Sequence, residues 1–226
     1  MPQQRTALVT GAGRGIGRAV AGQLCQHGLR VVVAARRYAD AEAVAAELGA
    51  LPVPLDVTSP DSVRQAADRL GSVDVLVSNA GVLLEDGTAD PLTASLEVVE
   101  QTLAVNLLGA WRVAQAFVPG MVERGWGRVV FVSSGTGSFT AGIFGGSPGY
   151  SVSKTGLNAL TQMLARRTEG TGVLVNAVNP GPTRTRMMPF AQRSPEEAAG
   201  FVVAAALLPD DGPTGTLRRG EQEFGW

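Results

Sequence analysis

Short runs of strand-forming residues alternate along this chain with longer alanine-rich stretches of helical pattern, and that alternation restricts the fold more than any other feature. The runs are Ala7–Val9, Arg30–Ala34, Val53–Leu55, Val73–Val77, Arg128–Ser133 and Val173–Val178. Strands separated by helices build βαβ units, whose parallel sheet is buried on both faces. The expected fold class is therefore α/β, a doubly wound parallel sheet with helices on both sides. Ser59 followed by Pro60 reads as a helix N-cap with proline at the first helical position, and Ser194, Pro195 and Glu197 add a capping-box spacing. No repeat, charge run or low-complexity linker breaks the series, so a single domain is expected over residues 1–226.

Composition excludes several functions. Lys and Arg number 19 against 20 Asp and Glu, a formal charge of -1, so no global field would draw nucleic acid or an anionic membrane. Apolar stretches such as Phe201–Leu208 fall well short of the roughly 20 residues that cross a bilayer. The segment Met1–Arg5 lacks the apolar core and cleavage site of a secretion signal, which makes a soluble, cytoplasmic protein the expectation. Cys25 is the only cysteine and His27 the only histidine, so neither a disulfide nor a thiolate or imidazole metal cage is expected. Both fall on the first helix, Cys25 as a buried apolar group and His27 exposed near its end.

Thr10-Gly11-Ala12-Gly13-Arg14-Gly15-Ile16-Gly17 follows the first strand and opens the first helix. Glycines there let the backbone turn sharply and approach a pyrophosphate, whose charge meets the free N–H groups of the helix. The spacing is G-x-x-x-G-x-G rather than G-x-G-x-x-G, and no lysine follows to make a P-loop. A dinucleotide site of the Rossmann type places a ribose-recognising group at the end of the second strand, roughly 20 residues on. An acid there would suit NAD. This chain carries Ala34-Ala35-Arg36-Arg37 instead, and with Arg14 nearby these planar cations suit the 2′-phosphate of NADP(H).

With these residues the chain resembles the classical short-chain dehydrogenase/reductase family over nearly its whole length. Asp56-Val57 resembles the family's adenine contact, and Asn79-Ala80-Gly81 its N-A-G motif. Asn106 matches the active-site asparagine, Ser134 the catalytic serine, and Tyr150-Ser151-Val152-Ser153-Lys154 the Y-x-x-x-K. The run Asn179-Pro180-Gly181-Pro182-Thr183-Arg184-Thr185 resembles the loop that binds the nicotinamide carboxamide. The resemblance implies that Pro180, Gly181, Thr183 and Thr185 touch cofactor, that Ser134 holds the substrate oxygen, that Lys154 also reaches the nicotinamide ribose, and that Asn106 supports a water relaying protons to Lys154. It implies a small carbonyl or alcohol substrate; a homodimer or homotetramer is expected from the missing insertion described below.

The chemistry has its own logic. Hydride addition to a carbonyl leaves an alkoxide, so the site must supply a proton and donors aimed at the negative oxygen. Tyrosine, with a pKa near 10, needs a shift of about three units, roughly 4 kcal/mol, to work near neutrality. Tyr150 and Lys154 lie on one helical face a turn apart, so the ammonium is expected to supply part of that shift. A serine hydrolase is excluded although Gly145-Gly146-Ser147-Pro148-Gly149 matches G-x-S-x-G, because Pro148 has no N–H for an oxyanion hole and His27 precedes the serine. A cofactor-sensing scaffold is the other rival, and retention of both Tyr150 and Lys154 speaks against it.

Two departures stand out. The V-D-G-G segment of many tetrameric members is absent, and the ending Leu207–Gly215 with terminal Trp226 resembles the carbonyl-reductase branch. The long insertion of that branch's mammalian monomers is also missing, since only residues 135–149 separate Ser134 from Tyr150. That leaves Leu107, Ala110, Val113, Ala114 and Phe117 on one helix, and Val152, Leu157, Leu160 and Met163 on another, as more apolar surface than one sheet face should cover. The stretch Arg186–Arg193 is too short for a long helical lid, and its Met187, Met188 and Phe190 suggest a permissive apolar site. The expected activity is NADPH-dependent reduction of a small ketone, aldehyde or quinone. A dedicated 3-oxoacyl ketoreductase is the alternative.

Overall fold

The computed structural model describes residues 4–220 and 222–226; the start of the amino-terminal reading above lies outside them. The strands are β1 (Thr6–Thr10), β2 (Arg30–Ala35), β3 (Leu51–Pro54), β4 (Val75–Ser78), β5 (Gly127–Val132), β6 (Val173–Val178), β7 (Leu217–Arg219) and β8 (Gln222–Glu223). The helices are α1 (Gly15–Gln26), α2 (Tyr38–Leu48), α3 (Pro60–Leu70), α4 (Leu96–Leu103), α5 (Ala110–Arg124), α6 (Pro148–Arg167) and α7 (Pro195–Ala206). One sheet runs in the order β3-β2-β1-β4-β5-β6-β7-β8, parallel except for the final antiparallel pair. Strand order reverses between β1 and β4, and ligands of such sheets bind in the crevice beyond the carboxyl ends of the strands there.

Alternate residues of the strands feed two cores. Leu8, Val32, Leu76, Val129 and Phe131 pack on one face with Val63 of α3, Val113, Phe117 and Met121 of α5, and Leu157 and Leu160 of α6. Val9, Val33, Val77 and Val130 face the opposite way, onto Val20 and Leu24 of α1, Val44 of α2 and Val202 of α7. This is why the runs read as apolar throughout.

The two cap readings hold. Ser59 Oγ accepts from Ser62 N at 3.2 Å, and Ser194 and Glu197 form a reciprocal box at 3.1 and 2.8 Å. Strand β3 begins earlier than its apolar run because it contains Pro52 and Pro54, which a strand tolerates at the sheet edge. The last two strands carry too little pattern to be read at all. Cys25 is half-buried rather than buried, while His27 is exposed and caps the end of α1. Of the apolar residues read as surplus surface, Ala110, Val113, Ala114, Phe117, Leu157 and Leu160 are core and Leu107 is half-buried, which leaves Val152 and Met163 outward; Leu108 and Trp111, outside that reading, are exposed beside them.

Arg128 is 1% exposed, held by Asp210 at 2.6 Å and by the carbonyls of Leu208, Gly127 and Gly172, with its guanidinium over the Trp126 ring. No sequence pattern marked it. Leu76, by contrast, is a plain core residue of the central strand with no exposed surface. Leu76→Ala should lose about 2–5 kcal/mol of stability, read as a lower urea midpoint at unchanged slope. A loss under about 1 kcal/mol would contradict the two-core packing.

Candidate active site

The glycine turn is locked onto the start of the next loop. Asn79 Nδ2 donates to the carbonyls of Thr10 (2.9 Å) and Gly11 (3.2 Å), while Asn79 N and Ala80 N donate to Thr10 Oγ1. A Cβ on Gly11, whose φ is +64°, would stand 2.8 Å from Ala80 Cα, and one on Gly17 would stand 2.5 Å from Asn79 Nδ2. Gly11, Gly15, Ile16 and Gly17 thus line the β1–α1 turn, and Thr185 reaches it from the β6 loop, its Cγ2 within 3.3 Å of a Cβ on Gly15. Asn79 spends its amide on the turn.

Arg14, Arg36 and Arg37 are exposed beyond the ends of β1 and β2. Arg37 pairs loosely with Asp40 at 3.6 Å. Asp56 is held below the usual carboxylate range, first by the Thr58 hydroxyl and N–H and then by the Arg36 and Arg112 charges. Val57 is buried against Gly109, and its carbonyl accepts from Arg112 at 2.6 Å. Its side chain belongs to the core.

The sequence-read catalytic residues meet at the carboxyl ends of β4 and β5. Ser134 follows β5, and its hydroxyl stands close enough to the phenol of Tyr150 to favour the phenolate. Ser134 Oγ accepts from Thr136 N at 3.2 Å, the strand-end hydroxyl capping the turn that follows β5. Lys154 sits a turn along α6, 4% exposed, with Nζ 5.5 Å from the Tyr150 ring centre and 2.8 Å from the Val132 carbonyl. Gly81 adjoins it, since a Cβ there would lie 3.8 Å from Nζ.

Asn106 lies in a π-helical turn, Ala104–Gly109, between α4 and α5. Such widened turns are frequent at functional sites. Its amide exchanges hydrogen bonds with Val82 N (2.8 Å) and O (2.9 Å) and donates to Ser153 Oγ (3.0 Å). The side chain therefore pins the loop after β4.

The β6 loop closes on itself. Gly181, at φ +72°, donates to Asn179 Oδ1, Arg193 donates to the Pro180 carbonyl, and Thr183 pairs with Arg193. Asn179 Nδ2 is buried without a partner and lies 2.8 Å from where a Gly135 Cβ would stand. The segment beyond Thr185 forms turns, with Met187, Met188 and Phe190 exposed at 39%, 43% and 98%. Phe190 stands almost free of the body of the protein, while Met187 and Met188 have more than half of their surface covered. Ser147, of the hydrolase-like run, is the residue before α6, and Pro148 occupies the first helical position.

The sequence profile described as short chain dehydrogenase matches residues 5–196. The chain belongs to that family. Within this oxidoreductase family it is 42% identical over 199 residues to the protein assigned as ketoacyl reductase 2 of the granaticin polyketide synthase of Streptomyces violaceoruber, covering 85% of this chain and 77% of that one. It is 32% identical to an NADPH-dependent aldehyde reductase-like protein of Arabidopsis thaliana, covering 85% and 77%. The crystal structure of a 3-oxoacyl-[acyl-carrier protein] reductase from Brucella melitensis superposes with a TM-score of 0.86 at 28% identity, covering 95% of this chain and 89% of that one.

Electrostatics in this short chain dehydrogenase differ from the sequence expectation. Burial pushes the Tyr150 phenol up to about 12, only partly offset by the Ser134 hydrogen bond, so the unliganded site holds a protonated tyrosine instead of favouring phenolate. Burial also pulls Lys154 down to about 8, because its ammonium has lost most of its water. An unfolded lysine near 10.5 binds more proton than the folded one between pH 8 and 10.5, so stability should rise with pH across that window. Against Lys154→Met, whose side chain carries no charge, the parent should gain about 3 kcal/mol over the window in urea unfolding without ligand. A gap independent of pH would contradict the buried charge.

Proposed function

We propose that this protein is an NADPH-dependent reductase of small, largely apolar carbonyl compounds, with Tyr150 as general acid. The carrying observation is the hydroxyl pair Ser134–Tyr150 above the buried Lys154, with the phenol protonated. Gly11, Gly15, Ile16 and Gly17 would take the pyrophosphate at the start of α1, on a turn packed closely against Asn79 and Ala80 at Gly11 and Gly17. Arg14 and Arg36, whose guanidinium groups make no hydrogen bond among the described residues, fit a 2′-phosphate, with Arg37 beside them. Asp56 and the Val57 N–H suit the adenine, while Asn79, Ala80 and Gly81 suit the nearer ribose. Pro180, Gly181, Thr183 and Thr185 suit the nicotinamide end, where the orphaned Asn179 amide awaits an acceptor. NADPH, when bound, supplies the hydride.

The chain's own groups do the rest. Ser134, its oxygen already accepting from Thr136, donates its proton toward the carbonyl oxygen and fixes it beside Tyr150. Tyr150 gives its proton to the developing alkoxide, and Lys154 lowers the cost of the phenolate that remains. Asn106 keeps the loop over Lys154 in place.

Exposed apolar side chains on three loops leaving the carboxyl edge support an apolar substrate: Leu84 and Leu92 after β4, Phe139 and Phe144 after β5, and the Met187–Phe190 group after β6. The relatives named as ketoacyl reductases support the second reading equally, a 3-oxoacyl chain as the ketone. One domain across 1–226, a cytoplasmic location and a homodimer or homotetramer joined through Leu108, Trp111, Val152 and Met163 complete the proposal.

NADPH should bind at least about tenfold tighter than NADH, a difference of about 1.4 kcal/mol, and Arg36→Asp should narrow or invert the gap. Equal dissociation constants in the parent would sink the 2′-phosphate assignment. Tyr150→Phe should bind NADPH nearly as well as the parent yet lose about two orders of magnitude or more in turnover over a panel of ketones, aldehydes, quinones and 3-oxoacyl thioesters. Full activity in that variant on every substrate of the parent would remove Tyr150 from the mechanism.

A further inference from the structure

We propose that Glu85 positions Tyr150 for proton transfer by capping the amino end of α6 from the loop that follows β4. The inference rests on the reductase reading and adds a residue outside its serine, tyrosine and lysine. Helix α6 opens with Pro148, which has no N–H, and its N-cap residue Ser147 makes no side-chain cap hydrogen bond. The N–H groups of Gly149 and Tyr150 are therefore left without a local partner. Glu85 Oε1 accepts from Gly149 N at 2.8 Å and Oε2 from Tyr150 N at 2.9 Å, one oxygen to each. The next donor, Ser151 N, returns to the Ser147 carbonyl at 2.9 Å.

Helices α3, α4 and α7 take their caps from the adjoining serines Ser59, Ser95 and Ser194. The cap of α6 comes instead from 64 and 65 residues away. A carboxylate across two N–H groups at a helix amino end is charge-assisted and complements the helix dipole. It fixes the main chain of Tyr150 itself, so the phenol's reach is set by a distant loop. That loop is fastened on both sides: Asn106 grips Val82, and Ala89 N donates to the Gly146 carbonyl at 3.0 Å just before α6. It begins with Asn79–Gly81, which hold the glycine turn, so Glu85 ties the proposed acid to the proposed cofactor cradle through one short segment. Gly149 leaves room for the contact, as a Cβ there would lie 3.2 Å from Oε1 and 3.1 Å from Val99 Cα.

The test compares the parent with Glu85→Ala, Glu85→Gln and Ser59→Ala, well below their melting temperatures. Glu85→Ala should lose roughly tenfold to a hundredfold in kcat, the scale of a small misplacement of a reacting group, with carbonyl KM and NADPH Kd within about twofold. Glu85→Gln, which keeps one acceptor oxygen, should recover part of the rate. Ser59→Ala, which loses a cap remote from the tyrosine, should lower the melting temperature and leave kcat unchanged. Tyr38 and Tyr150 are the two tyrosines, so in a Tyr38→Phe background the phenolate absorbance reports Tyr150 alone, without turnover. Adding Glu85→Ala there should lower the Tyr150 midpoint by about one pH unit or more, because a frayed first turn rehydrates the phenol. Unchanged kcat in Glu85→Ala, or an equal loss in Ser59→Ala, overturns the proposal while the reductase reading stands. If the parent reduces no carbonyl, that reading and the proton-transfer role fall together, and the titration decides only whether Glu85 places Tyr150: an unmoved midpoint overturns that placement and a lowered one upholds it.

Discussion

A lysine ammonium held almost entirely out of water is the constraint around which the site is arranged. Lys154 is 4% exposed and has the Val132 carbonyl as its hydrogen-bond acceptor. Burial of that kind is costly unless geometry compensates. The compensation comes from the end of β5, which also delivers Ser134, so the strand that solvates the lysine also aims the serine. Tyr150 lies on the same face of α6, half-buried, and its partial loss of water raises the phenol's pKa.

Close approach is what makes this possible. Helix α6 is met by the turn after β5 at Gly137, where a Cβ would come 2.5 Å from Thr155 N, and by the π-helical turn at Gly156, where one would come 2.7 Å from Leu107. Side chains at those positions would hold the helix away from Val132 and Asn106. The π-helical turn sets Asn106 to face both Val82 and Ser153, linking the loop after β4 to α6. The glycine turn, the β4 loop and α6 thus behave as one braced unit, with Asn79, Asn106 and Glu85 as its ties.

Much of this was legible because it is local. Runs of Val, Ala and Leu marked six strands, the glycines marked the turn between β1 and α1, and the four-residue spacing of Tyr150 and Lys154 placed them on one helical face. What depended on distant partners was not. Strands β7 and β8 are short pieces that exist through pairing with β6 and each other. Nothing in the sequence marked Arg128 as buried, and Asp210, three backbone carbonyls and the Trp126 ring explain its burial. The apolar residues of α5 and α6 seemed too many for one sheet face, yet most of them are buried in one cluster with the strand residues beneath. Glu85 sits in a loop with no motif of its own, and Ser147-Pro148 has the same look as the capped starts Ser59-Pro60 and Ser194-Pro195, so nothing in the sequence marked the distant cap.

The central claim is that Tyr150 and Ser134 serve delivery of hydride to a carbonyl carbon. Its most direct measurement is the fate of isotope from NADPH deuterated at the transferable position, incubated with the parent protein and an aromatic ketone. The account predicts an alcohol carrying about one deuterium on its carbinol carbon for each NADPH oxidised. Oxidation of NADPH without deuterium in the alcohol, or with no alcohol formed, would contradict it.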